Sequence, residues 1–211
     1  MKTAATDPFH KFLDRNDAGL ELAQELLKAH FHPDLVLTIP RGGVPVGLAV
    51  ANFFGVPLKL FLIRKIGHPF NPEYAIGAVS ESETLFSATE GIDADYLKAS
   101  IKKERARITE MKQLFDHIST PKDTIGKTIV LVDDGIATGT CMELAVKILK
   151  KAGSQKIGLA VPVCPEKTAN TLSKKVDFFI SIINPLFFSG VGAYYEDFCQ
   201  LTDEEVIRML P

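Results

Sequence analysis

The chain has 211 residues, of which 46% are hydrophobic and 24% charged, and its formal net charge at pH 7 is −2. A chain of this size buries roughly 70% of its unfolded surface, which predicts one compact domain over 1–211. The slight acidity argues against nucleic-acid binding, and no run reaches the roughly twenty apolar residues of a membrane span. Without an apolar signal region, and with three cysteines that show no metal spacing, we expect a cytoplasmic protein with reduced thiols.

The first predicted element is an amphipathic helix over 18–30. Its apolar residues recur at helical spacing, at Leu20, Leu22, Ala23, Leu26 and Leu27. This spacing predicts a helix that packs one face against the rest of the domain.

Five apolar runs alternate with helical stretches along the remaining chain. They lie at 35–39, 58–63, 129–132, 157–163 and 178–182. This order predicts an α/β fold with a doubly wound, mainly parallel five-stranded sheet flanked by helices. Ligands of such sheets bind at the carboxyl ends of the strands, so the loops that follow the runs are the candidate binding loops.

The loop after the first run reads Pro40-Arg41-Gly42-Gly43. The guanidinium of Arg41 offers a fork of donors suited to phosphate oxygens, and two glycines let the backbone approach a ligand closely. We interpret this loop as a diphosphate-binding loop. Taken alone, such a turn often only connects two elements.

Two cations, Arg64 and Lys65, follow the second apolar run. Glycine and prolines then interrupt regular structure, and the stretches 74–79 and 85–87 are suited to pairing as a hairpin. We predict a flexible lid over about 67–92. A pair of surface cations is most often only a solvated face, so its function depends on the neighbouring loops.

A long helix is predicted over 93–118. Its apolar residues form one stripe, at Leu97, Ile101, Ile108, Met111, Phe115 and Ile118. The stripe is expected to pack on the core, and the lysines and arginines between these positions are expected to form a solvated face.

The most informative segment is the loop after the third run, where Asp133 and Asp134 precede a small-residue turn that opens a helix over 142–152. Backbone N–H groups in this turn suit a phosphate monoester, because a helix N-terminus favours an anion. The carboxylates would repel that phosphate and therefore suit hydrogen-bond donors such as vicinal ribose hydroxyls. The phosphate-facing candidates are Gly135, Thr138, Gly139 and Thr140. A simpler alternative is a turn in which Asp133 only caps the helix.

The segment 129–140 resembles the phosphoribosyl pyrophosphate site of type I phosphoribosyltransferases. The resemblance implies that Asp133 and Asp134 hold the ribose 2′ and 3′ hydroxyls, and that the residues from Ala137 to Cys141, with Gly135, hold the 5′-phosphate. Cys141 replaces the usual threonine or serine and so lacks one hydroxyl donor. The resemblance extends to the Arg41 loop, which would bind the diphosphate together with Gly42 and Gly43.

The same resemblance implies a cis peptide bond at Arg41–Gly42. It also implies that Lys65, with Arg64 second, neutralises the leaving pyrophosphate, and that Asp133, Asp134, Lys65 and Arg41 form the catalytic set. Magnesium is the implied cofactor, held mainly by the substrate and not by direct protein ligands.

A narrower resemblance covers nearly the whole chain, to phosphoribosyltransferases whose acceptor is uncharacterised. It rests on Phe12-Leu13-Asp14-Arg15, on the segment 64–79, and on the segment 191–198 near the C-terminus. In this fold a core over about 33–182 would carry the lid and a small hood from about 1–32 and 183–211. The candidates for stacking on a base under the hood are Phe187, Phe188, Tyr194 and Tyr195.

The implied activity is the transfer of ribose 5-phosphate from phosphoribosyl pyrophosphate to a nitrogenous base, with release of pyrophosphate. Enzymes for 6-oxopurines usually carry an acid at the position of Ala137, and uracil enzymes usually lack the acid supplied here by Asp134. An adenine-like or non-purine acceptor is therefore favoured, and a homodimer without nucleic-acid or membrane partners is expected. The alternative is a non-catalytic regulator that senses phosphoribosyl pyrophosphate, whose DNA-binding segment or basic face this sequence lacks.

Overall fold

The computed structural model describes residues 10–210, and for residue 73 the backbone alone. Its helices are α1 (Arg15–Lys28), α2 (Gly43–Phe54), α3 (Ala94–Leu114), α4 (Thr140–Ala152), α5 (Glu166–Leu172) and α6 (Asp203–Met209). Its strands are β1 (Leu35–Thr38), β2 (Leu58–Leu60), β3 (Arg64–His68), β4 (Asn71–Val79), β5 (Thr84–Phe86), β6 (Thr128–Val132), β7 (Lys156–Val163) and β8 (Phe178–Ile183). Within 10–210, no helix is both long and apolar enough to cross a membrane.

The main sheet has five strands in the order β2-β1-β6-β7-β8, and every neighbouring pair is parallel. The predicted doubly wound α/β fold is thereby confirmed. Strands β1 and β6 are adjacent, and Thr38 at the end of β1 is level with Val132 at the end of β6. The two candidate binding loops therefore leave the sheet side by side.

Alternate residues of the central strands point to opposite faces of the sheet, as the pleat requires. On one face Val36 and Val130 pack with residues of α1 and α2, and on the other Leu37 and Leu131 pack with residues of α4. Both faces are covered by helices, which explains why the strands read as continuous apolar runs.

Helix α1 begins three residues before the predicted start and ends two before the predicted end. It begins early because the Asp14 side chain caps it by accepting a hydrogen bond from the backbone N–H of Asp17. The predicted apolar face was partly wrong, because Leu20 and Leu27 are 43% and 45% exposed. The buried face keeps the predicted Leu22, Ala23 and Leu26 and adds the small residues Ala18 and Gly19. A Cβ at Gly19 would lie 2.6 Å from the Cβ of Ala49 on α2.

The predicted hairpin is confirmed, because β4 pairs antiparallel with β5. The predicted second strand is shorter than expected, since β2 ends at Leu60 and residues 61–63 leave the sheet as a buried connection. The chain then forms β3, which pairs with β4 in a separate three-stranded sheet. An apolar run alone does not distinguish a strand from a buried connection, and this is why the boundary was missed.

Helix α3 ends at Leu114 and not at 118 as predicted, because Phe115 is already extended. The following residues run alongside β2, where Ile118 forms a bridge with Leu60. The apolar stripe is otherwise confirmed, since Ile108 and Met111 are buried. Residues Leu97 and Ile101 pack against the same core cluster, partly buried.

Candidate active site

The loops that follow β1 and β6 meet at the carboxyl edge of the sheet. A Cβ at Gly42 would lie 2.1 Å from Oδ2 of Asp134, and a Cβ at Gly43 would lie 2.8 Å from Oδ1 of Asp133. Any side chain larger than hydrogen at 42 or 43 would therefore collide with the acidic pair. The structure brings together the two loops that the sequence predicted to share one site.

The cis peptide bond of the first loop lies at Pro40–Arg41, so the expected position at Arg41–Gly42 was wrong by one residue. The Arg41–Gly42 peptide already belongs to the turn that opens α2. Gly42 has helical backbone angles, φ −57° and ψ −36°, and the carbonyl of Arg41 accepts a hydrogen bond from the N–H of Val44.

The second loop forms a turn at the start of α4 whose backbone suits an anion. Gly139 caps the helix at φ +81°, a conformation that favours glycine, and among the described residues no side chain caps the first turn. The first N–H groups of a helix have no partner within it, so they are available to an anion. The alternative in which Asp133 caps the helix is therefore wrong.

Hydroxyl groups border this turn. Oγ1 of Thr140 lies 3.3 Å from Oγ1 of Thr138 and 3.2 Å from Oγ of Ser87, which follows β5. The backbone carbonyl of Ala137 accepts a hydrogen bond of 2.9 Å from the Thr168 hydroxyl, which joins the turn to α5. These contacts connect Ala137, Thr138 and Thr140 of the predicted phosphate-binding loop with Ser87 and Thr168.

Asp134 is held by residues from both ends of the chain. Its Oδ2 accepts a hydrogen bond of 2.9 Å from Nε of Arg15, and its carbonyl accepts one of 2.6 Å from the Tyr195 hydroxyl. The backbone N–H of Asp134 donates to Oδ1 of Asp133 at 3.0 Å. The acidic pair is therefore oriented by the fold before any ligand binds.

Burial raises the pKa of Asp133 well above its ordinary value, and the neighbouring charge of Asp134 raises it further. Burial also raises the pKa of Asp134, while the charge of Arg15 and its hydrogen bond oppose that rise. Two adjacent carboxyl groups in a desolvated site favour neighbours that donate hydrogen bonds. Such a pair can bind a vicinal diol, one hydroxyl to each acid.

Cys141 lies at the second position of α4, beside the acidic pair. Burial raises the pKa of its thiol to about 12, and the charge of Asp133 raises it as well. A thiol with this pKa remains protonated near neutral pH and is a poor nucleophile. Its contribution to the loop is therefore its backbone N–H.

Two of the predicted cations, Arg41 and Arg64, lie at the rim of the site and contact acids that sequence reasoning missed. Nη1 of Arg41 is 3.5 Å from Oδ1 of Asp203 on α6, and Nε of Arg64 donates to Oε2 of Glu104 at 2.9 Å. Asp203 also pairs with Arg107 of α3. Lys65 lies on β3 with its side chain exposed.

The four aromatic candidates occupy different environments. Phe187 is 93% exposed, whereas the rings of Phe188 and Tyr194 are stacked with centroids 6.1 Å apart and an angle of 12°. Between them in sequence, Val191 lies against Gly135, where an added Cβ would come within 2.5 Å of its Cγ1. This contact places the C-terminal segment over the phosphate turn.

Tyr195 does not present a ring face to a base. Its side chain is buried at 3% exposure and packs between Phe12 and Phe198, with ring centroids 5.3 and 5.0 Å away. Burial also raises the pKa of its hydroxyl, which donates to the carbonyl of Asp134. Its position suits support of the acidic pair, and the prediction of a base-stacking role for Tyr195 was wrong.

Sequence reasoning also missed Arg15, although this residue ends the segment 12–15 that carries the narrower resemblance. The backbone N–H of Phe12 donates to the carbonyl of Tyr194 at 3.0 Å, which joins the two ends of the chain beside the site. The available signal for this role was Arg15 itself, a charged residue at the end of the segment 12–15, to which no function had been assigned.

Comparison with known proteins identifies the family. The model of the phosphoribosyl transferase domain matches residues 13–196, so the chain belongs to the phosphoribosyl transferase family, a class of glycosyltransferase-type enzymes. A Mycobacterium tuberculosis protein named "Putative phosphoribosyl transferase" is 35% identical over 204 residues, which are 94% of this chain and 46% of that protein. The chain thus spans about half the length of this curated relative.

Two further similarities agree with this assignment. The crystal structure of TT1426 from Thermus thermophilus superposes with a TM-score of 0.75 and 35% identity, covering 95% of this chain and 97% of that one. The amidophosphoribosyltransferase of Rhizobium etli is 27% identical over 150 residues, 71% of this chain and 24% of that enzyme.

Proposed function

We propose that the protein transfers ribose 5-phosphate from phosphoribosyl pyrophosphate to a nitrogenous base and releases pyrophosphate. One observation carries the proposal: the oriented pair Asp133 and Asp134 lies between the Arg41 loop and the N-terminus of α4. A diol site flanked by two phosphate-binding turns matches the three functional groups of this donor. The same geometry also matches the chemistry expected from the family.

In the proposed complex the two carboxylates accept hydrogen bonds from the ribose 2′ and 3′ hydroxyls. The 5′-phosphate binds the turn of Gly135, Ala137, Thr138, Gly139, Thr140 and Cys141. Fixing both ends of the sugar orients the anomeric carbon between the leaving group and the incoming base, which lowers the entropic barrier to displacement. Negative charge beneath the ring stabilises the cationic transition state.

The diphosphate is proposed to bind the backbone of Gly42 and Gly43 and the side chains of Arg41, Arg64 and Lys65. Each cation would neutralise charge that develops on the departing pyrophosphate. Arg41 directly precedes Gly42, whose backbone lies against the Asp134 carboxylate, so its loop joins the diphosphate to the acidic pair.

Magnesium is the proposed cofactor, and it would supply charge neutralisation on the diphosphate. Within residues 10–210 no group of three or more His, Cys, Asp or Glu side chains is arranged to ligate a metal ion. Magnesium usually keeps several waters and binds substrate phosphates with few protein ligands, so this donor set fits a substrate-held ion.

The proposed acceptor is adenine-like or a non-purine ring. Ala137 supplies no carboxylate at the position where an acid would serve N7 of a 6-oxopurine. The stacked pair Phe188 and Tyr194 lies on the segment that covers the phosphate turn, and Phe187 is exposed beside it. Aromatic faces at this place suit a flat ring.

Pyrophosphate release tests the proposal. The protein is incubated with phosphoribosyl pyrophosphate, magnesium and each member of a panel of nucleobases and ring acids, beside the variant Asp133→Asn with Asp134→Asn. Asp116→Asn, at an exposed position after α3, is the matched control. Release with one acceptor, lost in the double variant and kept in the control, would establish the transferase and identify its substrate.

Two other results would contradict the transferase. Tight donor binding without release for any acceptor would favour a regulator that senses phosphoribosyl pyrophosphate. Wild-type donor affinity in the double variant would overturn the assignment of the acidic pair.

We also propose that the chain forms a homodimer in the cytoplasm and that 67–92 acts as a lid over the bound donor. Residues Ala75, Ile76, Ala78 and Val79 of β4 are buried, whereas Phe70 at the tip between β3 and β4 is 93% exposed. Motion of the proposed lid would therefore be concentrated at this tip.

The proposed homodimer is tested separately. A monomer by light scattering at micromolar concentration would refute it.

A further inference from the structure

Arg15 is the buried charge that the proposed reaction leaves without a role. It is the first residue of α1, and only 9% of its surface is exposed. Charged side chains are rarely this buried unless they are paired, so its partners indicate what it does.

The guanidinium of Arg15 is fixed on three sides. Nε donates to Oδ2 of Asp134 at 2.9 Å, Nη1 donates to the carbonyl of Cys199 at 2.8 Å, and the central carbon lies 3.8 Å from the ring centroid of Phe198. A planar group held by two hydrogen bonds and an aromatic face has one orientation. The Asp134 carboxylate is therefore oriented by a rigid partner.

Each acid of the pair uses one oxygen for this internal network. Oδ2 of Asp134 accepts from Arg15, and Oδ1 of Asp133 accepts from the N–H of Asp134. Among the residues that the structure describes, no hydrogen bond engages the second oxygen of either carboxyl group. One acceptor on each acid thus remains for a ligand hydroxyl.

We propose that Arg15 is a positioning residue that holds the Asp134 carboxylate in the orientation that accepts a ribose hydroxyl of the donor. This inference rests on the proposed function, because it assigns Asp134 to the sugar. Arg15 acts through Asp134 and does not touch the substrate.

Arg15 also opposes protonation of the acidic pair. Burial raises the pKa of both acids, and the positive charge of Arg15 lowers each of them. Among the residues that the structure describes, the Tyr195 hydroxyl and the Cys141 thiol also interact with the pair, and burial raises the pKa of both. They stay neutral near pH 7, so among the described residues that act on the pair Arg15 supplies the compensating charge.

The test is donor affinity as a function of pH. Phosphoribosyl pyrophosphate is titrated calorimetrically, with magnesium, into the wild type, Arg15→Gln, Arg15→Lys and the control Arg208→Gln, whose arginine is exposed on α6. Near pH 7 we expect Arg15→Gln to bind phosphoribosyl pyrophosphate about tenfold more weakly than the wild type, because the Asp134 carboxylate loses its charged hydrogen-bond partner. The control should bind as the wild type does.

The pH dependence separates positioning from a purely structural role. Without the positive charge the acids bind protons more readily, so the deficit of Arg15→Gln should grow at about pH 6 and shrink at about pH 8.5. Arg15→Lys keeps the positive charge but lacks the planar guanidinium with its several N–H donors. Its pH profile should therefore resemble that of the wild type. For Arg15→Gln, a deficit that is the same at every pH, or no deficit, would overturn the inference.

Two measurements keep the outcome unambiguous. Thermal unfolding verifies that each variant is folded. If Arg15→Gln fails to fold, Arg15→Lys decides, because it keeps the charge but not the planar pair of donors: weaker donor binding than in the wild type supports the inference, and wild-type affinity overturns it. In the background of Asp134→Asn, Arg15→Gln should add no further loss. A wild type that does not bind the donor would instead refute the proposed function, a result visible before any variant is made.

Discussion

The acidic pair and the cations around it are held in opposite ways. The side chains of Arg15 and Asp134 are 10% and 14% exposed, whereas those of Arg41 and Arg64 are 43% and 38% exposed and each contacts an acid at the rim. Surface ion pairs contribute only about 0–1 kcal/mol, while removing one partner of a buried pair costs about 3–5 kcal/mol. In the proposed complex the acidic pair that would bind the ribose is therefore oriented before the donor arrives, and the cations that would bind the diphosphate can exchange carboxylates for phosphates at little cost.

The largest effect should come from disturbing the oriented acidic pair, Asp133 and Asp134. Gly42→Ala places a methyl group where Oδ2 of Asp134 now lies 2.1 Å away, so the loop or the carboxylate must move. We expect donor affinity to fall at least about 100-fold, since oriented hydrogen bonds to both acids contribute about 1.5–3 kcal/mol each. Calorimetric titration with phosphoribosyl pyrophosphate measures the loss.

Gly126→Ala is the matched control for this substitution. Gly126 has a φ of +67° with nothing within 4 Å of an added Cβ, so alanine costs about 1–2 kcal/mol of stability through its backbone conformation alone. Donor binding should be unchanged there. Wild-type affinity in Gly42→Ala would show that the two loops do not need their present contact.

The next effect concerns the partly exposed cations that we propose to bind the diphosphate. Arg41→Gln should weaken donor binding about tenfold, because it removes a charged donor to the diphosphate. Asp203→Asn removes the acid that now contacts Arg41 and should leave donor affinity unchanged or raise it about twofold, as expected for a weak surface pair. Measuring both affinities at low and high salt tests the comparison, and a large loss in Asp203→Asn would contradict it.

The parts of the fold and site that depend on contiguous sequence could be predicted. Each strand of the main sheet overlaps an apolar run, although β2 uses only the first three residues of its run, because a parallel strand covered by helices on both faces needs no polar alternation. The acidic pair and the turn that we propose to bind phosphate could be located because Asp133 to Cys141 form one short segment. A loop that carries its own chemistry can be interpreted without knowledge of the rest of the chain.

The support of the site could not be predicted in this way. Arg15 reaches Asp134 across 119 residues of sequence, and Asp203 reaches Arg41 across 162. Tyr195 was misassigned because the sequence shows that the residue is aromatic but not whether its ring face or its hydroxyl makes the contact. In the structure its hydroxyl contacts the loop. Such pairings depend on how the chain ends return to the sheet, which no local pattern specifies.

A smaller effect should distinguish the two neighbouring tyrosines. Tyr194→Leu removes the stacking face and should raise KM for the acceptor about fivefold, the equivalent of about 1 kcal/mol, with donor affinity unchanged. Tyr195→Phe keeps the buried ring but removes the hydroxyl that donates to Asp134 at 2.6 Å, so it should weaken donor binding about fivefold and leave the acceptor KM unchanged. The same loss in both parameters for both variants would contradict this division.

The smallest effect tests the premise about surface pairs at a place remote from the site. Nζ of Lys59 on β2 lies 2.6 Å from Oδ1 of Asp123, and this hydrogen bond, with those from Thr120, lowers the pKa of Asp123 to about 2. Because the folded pKa lies below the unfolded value of about 3.9, the pair stabilises the fold above about pH 4, and its contribution is lost as pH falls toward 2.

Asp123→Asn should therefore reduce the free energy of unfolding by about 1 kcal/mol at pH 7. The wild type and the variant should converge as pH falls to about 2, where Asp123 becomes protonated in the folded state. Urea unfolding across this pH range measures both quantities. A difference of several kcal/mol at pH 7 would show that partly exposed pairs in this protein are strong, and Arg41 would then have to break a costly contact before the diphosphate could bind.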